Sequence, residues 1–448
     1  MPTAAFANLG CKVNQYEIER IAETFSARGF EITEFNKPAD VYVINTCSVT
    51  GAADRKSRQI ARRAARQKPG AHVVLTGCFA QLALDTGEGV EGASLLVPNR
   101  EKMRVADHTL AAFPELAPAA FSPSYPITNA VAVFPEDAGL TPTGSRDLGR
   151  TRATLKVQDG CVHFCAFCSI PYTRGVMASR PLAAVLDEAR QAAHAGVREV
   201  VVTGVCVGAY RDGGNTLTDV LIAVADVPGI ERVRLSSIQP IETDQRLIDA
   251  VASHPNICHH LHLSLQSGSD LVLRAMQRPY DTAYYRDLVR RLRAAAPGIA
   301  ITTDIIVGFP GETPDEFART LAFAEEMAFA RTHVFRYSPR RRTYAAEHLR
   351  DDVSDGEKEA RHQALTAVSI GSQRAFAEQI AGGDVDVLVE SRGKGAGLLA
   401  GYTSAYIRVH FATSTTTAIG DIVPVHIDSI DAGGDAIGQI ATPFAKAQ

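Results

Sequence analysis

Apolar residues along the chain fall into short runs separated by longer amphipathic stretches. Ala4 to Leu9, Val41 to Asn45 and Val73 to Thr76 read as buried strands, each followed by a helical stretch. That rhythm over residues 1–110 predicts a doubly wound, parallel-sheet domain. From 111 to 148 the periodicity is lost and prolines gather (Pro114, Pro118, Pro123, Pro126, Pro135, Pro142), as in a linker with one short strand at Ala130 to Phe134. The alternation resumes over 149–380. Strands are expected at Ala153 to Val157, Glu199 to Thr203, Arg232 to Leu235, His260 to Leu265, Ala300 to Val307 and Arg331 to Phe335, with helices such as Leu182 to Ala195 between them. Six such units suit a partial (β/α)6 barrel. In 381–446 the pattern changes to alternating strands at Val385 to Glu390, Leu398 to Thr403, Tyr406 to Phe411 and Ile422 to Ile430, the signature of a small closed β-barrel. The expected fold class is therefore α/β multidomain.

Composition narrows the setting. A chain of 448 residues exceeds one core, and at about 150 residues per domain it should hold two to four. With 46% hydrophobic and 21% charged residues and a net charge of -4, it has a globular composition and no global nucleic-acid signal. No run of eighteen apolar residues is present, and the first residues lack a charged segment ahead of an apolar one, so a cytoplasmic location without a membrane partner is expected. Eight cysteines without a secretory signal then point to reduced thiols used as ligands.

Three of these thiols lie within eight residues, as Cys161-x-x-x-Cys165-x-x-Cys168, just after the apolar run at Ala153 to Val157. A strand entering the loop would make them leave a rigid element and converge. Structural zinc normally takes four protein ligands, and no fourth follows at finger spacing; His163 lies inside the triplet. Three is odd and the neighbours are too close for disulfides, so iron–sulfur ligation is favoured, with one iron left open. Cys11, Cys47 and Cys78 each sit just past one of the first three strands, 36 and 31 residues apart, or about one strand-helix unit each. A parallel sheet brings such strand ends to one edge. Singly each would read as a small buried hydrophobe, but together they predict a second iron–sulfur site. Cys206 and Cys258 are isolated and read as packing residues, and His260 and His262 as alternating core or pocket residues.

The triplet is similar to the signature of radical S-adenosylmethionine (SAM) enzymes. That resemblance implies a [4Fe-4S] cluster whose open iron chelates SAM, which is then cleaved to a 5′-deoxyadenosyl radical. Loops at the strand ends carry Gly204, Ser236, Gln266 and Gly308, small or polar residues suited to a nucleoside cofactor and candidates for binding SAM. A second signal lies between Cys47 and Cys78. Asp54 to Lys68 holds seven basic residues against one acid in a helix-favouring context; it reads either as a solvated helix face or as a phosphate-contacting surface. The C-terminal barrel argues less clearly, since Arg392, Lys394 and Arg408 face seven acids there. Tyr402, Tyr406 and Phe411 could stack on bases or fill the barrel core.

Both cysteine sets, the basic helix and the terminal barrel together resemble the methylthiotransferase family of radical SAM enzymes over essentially residues 1–445: a methylthiotransferase domain, a radical SAM partial barrel and a TRAM domain. The resemblance implies an auxiliary four-iron cluster on Cys11, Cys47 and Cys78 and the SAM-cleaving one on Cys161, Cys165 and Cys168, two [4Fe-4S] clusters in all. It implies SAM both as methyl donor and as radical source, the tRNA anticodon stem-loop as partner, and an electron donor such as flavodoxin or ferredoxin. Leu9 to Glu17, with Asp54 to Gln59, looks like the branch acting on N6-threonylcarbamoyladenosine beside the anticodon. Alternatives are the same chemistry on N6-isopentenyladenosine or on a ribosomal-protein aspartate, and a non-catalytic iron–sulfur RNA-binding redox sensor. The chain departs from the family pattern at Arg342 and Tyr344, where Gly and Pro are expected, at Cys206, where Asn or His is common, and at Val162-His163.

Overall fold

A computed structural model of the chain describes residues 1–117, 133–135, 151–393, 397–412 and 417–441. The expected strand at Ala130 to Phe134, like most of the Pro-rich stretch and Lys394, falls largely outside them. The chain divides into two compact units. One comprises Met1–Thr143, Gln158–Arg180 and Ser338–His348, the other Gly144–Val157, Pro181–Tyr337 and Leu349–Gln448.

The first unit is built on a five-stranded sheet. Its elements run β1 (Thr3–Asn8), α1 (Lys12–Ala27), β2 (Glu31–Thr33), β3 (Val41–Thr46), α2 (Gly51–Gln67), β4 (His72–Gly77), α3 (Cys78–Asp85), β5 (Leu95–Leu96) and α4 (Val105–Ala112). The sheet order is β2-β1-β3-β4-β5, and every pairing is parallel. Both faces of β3 are buried, as its unbroken apolar run requires, and its side chains alternate between two cores. Val41 and Val43 pack with Ile18, Ile21 and Phe25 of α1 and with Val105 and Leu110 of α4. Tyr42 and Ile44 pack with Ala61 and Ala64 of α2 and with Phe79 and Ala80 of α3. Each large apolar side chain so buried contributes about 1.5–3 kcal/mol. The two strands that periodicity did not announce, β2 and β5, are an edge of three residues with exposed Glu31 and Ile32 and a strand of two residues.

The second unit is a partial barrel followed by a closed one. From β6 (Arg152–Asp159), whose last two residues belong to the first unit, the chain passes through α5 (Ile170–Arg174) and β7 (Ala178–Ser179), also in the first unit, to α6 (Leu182–His194) and β8 (Glu199–Gly204). There follow the hairpin β9 (Arg211–Asp212) and β10 (Asn215–Thr216), α7 (Leu217–Ala225), β11 (Arg232–Leu235), β12 (Ser237–Ile238), α8 (Gln245–Ser253), β13 (His260–Leu263), α9 (Asp270–Ala275), α10 (Thr282–Ala295), β14 (Ala300–Val307), α11 (Pro314–Met327) and β15 (Arg331–Arg336). Strands β11-β8-β6-β7 form one sheet and β12-β13-β14-β15 another, bridged in parallel from Val233 to Ile257. Six major strands thus neighbour one another in sequence order, around a core that includes Leu155, Val200, Val233, Leu261 and Ile301. After α12 (Tyr344–His348), a first-unit helix, α13 (Asp355–Glu378) leads to the closed barrel, β16 (Asp384–Arg392), β17 (Leu398–Thr403), β18 (Arg408–Ala412), β19 (Ile422–Ile430) and β20 (Ala436–Ile440), in the order β16-β17-β18-β20-β19. Strand β20 is the one the sequence pattern did not announce: it is short and follows Gly433-Gly434.

The closed barrel is fastened to the partial barrel by arginines of β6 and β11. Arg234 donates to the carbonyls of Thr403 (3.1 Å) and Ser404 (2.9 Å), and Arg232 to those of Tyr402 (3.1 Å) and Asp386 (2.7 Å). Glu199, fully buried, is their shared counter-charge, 2.7 Å from Arg234, 3.3 Å from Arg152 and 3.8 Å from Arg232. Burial would raise its carboxyl, but the Arg234 and Arg152 guanidiniums overcome that and hold it below the usual range. Tyr402 and Tyr406 stack on each other with centroids 4.9 Å apart, and Arg152 covers both rings. These two tyrosines therefore serve the junction and Phe411 fills the barrel core, so the base-stacking option finds its three rings already engaged.

Two stability outcomes follow from these contacts. Glu199→Gln removes the carboxylate from among three guanidiniums and should lower the unfolding free energy by about 3 kcal/mol in urea titration; a loss below about 1 kcal/mol would contradict the counter-charge role. In the first unit, Asp40 accepts from Lys68 Nζ (2.5 Å) and from the Thr3 amide and hydroxyl (both 2.8 Å). Partial burial opposes the charge, but these bonds prevail and bring its pKa down from 3.8 to about 2. A depressed acid stabilises the fold above its unfolded value of 3.8, and the contribution disappears as pH falls through about 2. Asp40→Asn should cost on the order of 1 kcal/mol at neutral pH and nothing in strong acid. An equal penalty in both conditions would exclude the linkage.

Candidate active site

All six candidate cluster cysteines lie in the first unit. Cys11 caps the start of α1, Cys47 follows the last residue of β3, and Cys78 opens α3 directly after β4. The parallel register of β1, β3 and β4 puts these three strand exits side by side, with Asn8 opposite Asn45 and Thr46 opposite Gly77. The approach is close. A β-carbon on Gly10 would stand 2.7 Å from both Cβ and Sγ of Cys47, and Gly10 has φ +105°. Gly77, with φ +91°, leaves no room either, since a β-carbon there would meet Asn45 Oδ1 and the Thr46 carbonyl at 2.4 Å. Glycine before Cys11 and before Cys78 is therefore a steric requirement of bringing the thiols together.

Asn14 organises this edge. Its amide nitrogen donates to the carbonyls of Leu9 (2.8 Å) and Thr46 (3.0 Å), pinning the exits of β1 and β3, and so its oxygen faces the other way. That oxygen receives the Cys11 thiol at 3.6 Å and Arg174 Nη2 at 2.5 Å. Cys11 reaches solvent yet is ringed by protein, and this desolvation raises its thiol pKa against a lowering by the Arg174 guanidinium. Cys47 is buried and pushed up to about 12, chiefly by the same cause, with the neighbouring Cys78 and Cys11 adding to it. All three are free. Loading a metal here must release protons, while the start of α1 at Cys11 and of α3 at Cys78 favours the negative charge that remains. Three free sulfurs meeting at two helix starts suit a thiolate-bound iron–sulfur cluster.

The triplet Cys161, Cys165 and Cys168 occupies the loop between β6 and α5, with Cys165 buried and the other two partly exposed. Gln158 Nε2 donates to the carbonyls of Asp159 (2.7 Å) and Gly160 (2.8 Å), Asp159 accepts from the Gly160 amide (2.7 Å), and the Ala345 amide bonds Ala166 O (2.8 Å). The loop is thus held at its start and in its middle. His163 sits with a ring nitrogen within 4.8 Å of Cys161 Sγ, closer than its place inside the triplet suggested.

Residues 338–348 complete the surroundings. Ser338 Oγ accepts from the Gly51 amide (3.1 Å), Arg340 donates to Ser48 Oγ (3.0 Å) and pairs with Asp54, and Arg341 pairs with Glu88 (3.0 Å). Arg342 pairs with Asp85, lies over the Tyr172 ring at 5.1 Å and adopts φ +66°. The left-handed conformation accounts for the glycine expected at this position, and an L-residue bears about 1–2 kcal/mol of strain in it. The ion pair and ring contact offset that cost.

In the second unit the candidate SAM residues take different positions. Gly204 ends β8 and Ser236 follows β11, buried, with its hydroxyl oxygen lacking a partner among the described residues. Such an orphaned polar atom at a strand exit fits a bound polar cofactor. Gln266 is held at φ +75° by bonds to Asp304 O (2.8 Å) and from the Ile306 amide (2.9 Å). Gly308 faces Lys358, whose Cγ lies 2.3 Å from where a β-carbon would be, so its space is filled by α13. Cys206 does more than pack: its thiol donates to Glu242 Oε1 at 2.8 Å and accepts from Gln239 Nε2 at 3.7 Å. Cys258 is wholly buried, its thiol raised to about 11 by that burial. His260 and His262 both bond Thr302 Oγ1 at 3.0 Å. On α2, Arg55, Lys56, Arg63 and Arg66 are exposed, whereas Arg58 covers Phe79 (4.8 Å) and pairs with Glu88 (2.8 Å). Among the described residues no helix is long and apolar enough to cross a membrane.

Sequence reasoning missed Glu17, Lys102, Asp159 and Arg174, and Asn14 as the organiser. The available signal was spacing: Asn14 and Glu17 share a face one turn after Cys11, and Asp159 and Arg174 flank the triplet.

Residues 155–324 match the model of the Radical SAM superfamily, and residues 3–92 match that of the Uncharacterized protein family UPF0004. The fold is similar to that of the radical S-adenosylmethionine methyltransferase TsrM from Kitasatospora setae, with a TM-score of 0.52 at 15% identity over 89% of this chain and 77% of that one. The chain is 37% identical to the threonylcarbamoyladenosine tRNA methylthiotransferase MtaB of Bacillus subtilis (strain 168) over 436 residues, 95% of this chain and 94% of that one. It is 36% identical to the protein of the same name from Chlamydia pneumoniae over 440 residues, 96% of each. With radical SAM and UPF0004 regions in one chain and these identities over nearly its whole length, the protein belongs to the MtaB family of radical SAM methylthiotransferases.

Proposed function

We propose that this enzyme converts N6-threonylcarbamoyladenosine beside the tRNA anticodon to its 2-methylthio derivative. The observation that carries the reading is the meeting of Cys11, Cys47 and Cys78 at one sheet edge, in a chain that also holds the SAM-type triplet and matches the named relatives over nearly its whole length. Cys161, Cys165 and Cys168 hold one [4Fe-4S] cluster and Cys11, Cys47 and Cys78 a second. Bound there, the clusters and SAM supply one-electron cleavage of SAM and a methylthio group. A flavodoxin or ferredoxin is the kind of electron donor this requires.

The chain's own share is placement. Asn14 and the glycines before Cys11 and Cys78 fix the three sulfurs. Gln158 and Asp159 hold the start of the triplet loop, and the buried Ser236 hydroxyl, with Gly204 and Gln266, receives the polar parts of SAM. Alignment of this kind is worth several kcal/mol of barrier. Arg55, Lys56, Arg63 and Arg66 on the exposed side of α2 contact RNA phosphates, and an anticodon loop, being single-stranded, presents an adenosine at modest unstacking cost.

Mass spectrometry of tRNA nucleosides tests the substrate. The 2-methylthio form of N6-threonylcarbamoyladenosine should vanish on gene deletion and return with the wild-type gene but not with Cys11→Ala or Cys161→Ala. Unchanged tRNA would sink the assignment and redirect the search to isopentenyladenosine and then ribosomal proteins. The surface has its own test in filter binding. Changing Arg55, Lys56 and Arg63 together to Glu should weaken tRNA binding at least tenfold and flatten the plot of log affinity against log salt by about 0.7 per lost phosphate contact. Unaltered affinity would assign the helix to solvent.

A further inference from the structure

The first unit buries four charged side chains in a single group. Glu17, Lys102, Asp159 and Arg174 each expose 2% or less of the side chain. Lys102 Nζ lies 2.7 Å from Glu17 and 3.0 Å from Asp159; Arg174 Nη1 lies 2.8 Å from Glu17 and 2.9 Å from Asp159. Two cations and two anions alternate in a closed ring. Burying charge costs several kcal/mol per ion before pairing, and a well-packed apolar group of equal volume is often at least as stable. Stability alone is therefore a poor reason for the ring to be there.

Its attachment points suggest a better one. Glu17 stands on α1, six residues after Cys11; Asp159 ends β6, two residues before Cys161; Arg174 ends α5, six residues after Cys168. The ring clamps the helix carrying Cys11 to both ends of the triplet loop. Arg174 extends toward the sulfurs, through Nη2 to Asn14 Oδ1 and from that oxygen to Cys11 Sγ. Once Cys11 is a thiolate it no longer donates, and the amide oxygen would repel it without the guanidinium behind. We propose that Arg174 is a positioning residue for the group held by Cys11, Cys47 and Cys78: it fixes Asn14 against Cys11 and keeps a positive charge beside the three sulfurs, raising the reduction potential of a cluster bound there.

The inference rests on the second-cluster reading above, and the experiment separates the two. A background carrying Cys161→Ala, Cys165→Ala and Cys168→Ala leaves only the N-terminal set. After anaerobic reconstitution it should hold about four irons per chain, titratable by electron paramagnetic resonance. No iron in this background would overturn the second cluster and the role of Arg174 with it. Given iron, Arg174→Gln should shift the midpoint potential to lower values, while Arg174→Lys, which keeps the charge, should stay near the background. An unshifted Arg174→Gln, or an equal shift in both variants, would overturn the proposal. Should Arg174→Gln fail to fold, the pair Arg174→Gln with Glu17→Gln removes one charge of each sign and keeps the ring neutral. It should shift in the same direction by less, because Arg174 bonds the Asn14 oxygen that receives the Cys11 thiol; no shift there would again count against Arg174.

Discussion

Three cysteines leave three separate parallel strands at one edge of the sheet, and the closeness of those exits constrains the first unit around them. Parallel pairing supplies the shared edge, but pairing alone leaves adjacent strands about 4.8 Å apart, with side chains at every exit. The last distance is closed by what is missing, the β-carbons of Gly10 and Gly77, and by what is added, the Asn14 amide that ties the exits of β1 and β3. The helices then start where the cysteines need them. Cys11 and Cys78 stand at helix beginnings because a chain leaving a parallel strand turns directly into its crossover.

Burial has opposite effects on the groups at this edge. It raises the thiols and so resists their ionisation, yet it strengthens every charge interaction that a bound metal would feel. The paired charges of Glu17, Lys102, Asp159 and Arg174 ease the conflict locally, since opposed charges in contact can remain in a dry interior while the Arg174 guanidinium is turned toward Asn14 and Cys11. In the second unit buried charge serves another purpose: Glu199 among Arg152, Arg232 and Arg234 joins a closed barrel to an open one.

Much of this was legible in the sequence, because long apolar runs and cysteines at a fixed phase after strands are strong local signals. The strands at 41–46, 232–235, 300–307 and 398–403 lie where hydrophobic periodicity puts them, to within a residue. Those that escaped notice are short: Glu31–Thr33 and Leu95–Leu96 at the edges of the first sheet, where few apolar residues are needed because only one neighbour holds them, the two-residue strands Ala178–Ser179, Arg211–Asp212, Asn215–Thr216 and Ser237–Ile238, and Ala436–Ile440 in the closed barrel. The meeting of the N-terminal thiols was readable from spacing. The charges behind them were not, because Glu17 and Arg174 are 157 residues apart and nothing in either segment announces the other. Tyr402 and Tyr406 misled for a related reason: aromatic residues in a β-rich segment look available for stacking, and the arginines that occupy them come from β6 and β11.

The first unit is not one continuous stretch of chain. Its pieces end at residues 143, 180 and 348, and the partial barrel, apart from β6, is encoded between the last two. During synthesis Glu17 and Lys102 exist well before Asp159 and Arg174 do, so the early chain holds only half of its ion ring. Arg340, which binds Ser48 and Asp54 beside the Cys47 exit, arrives last, after every strand of the partial barrel. A growing chain thus cannot finish the contacts around the sulfur-bearing edge until most of the enzyme has been made.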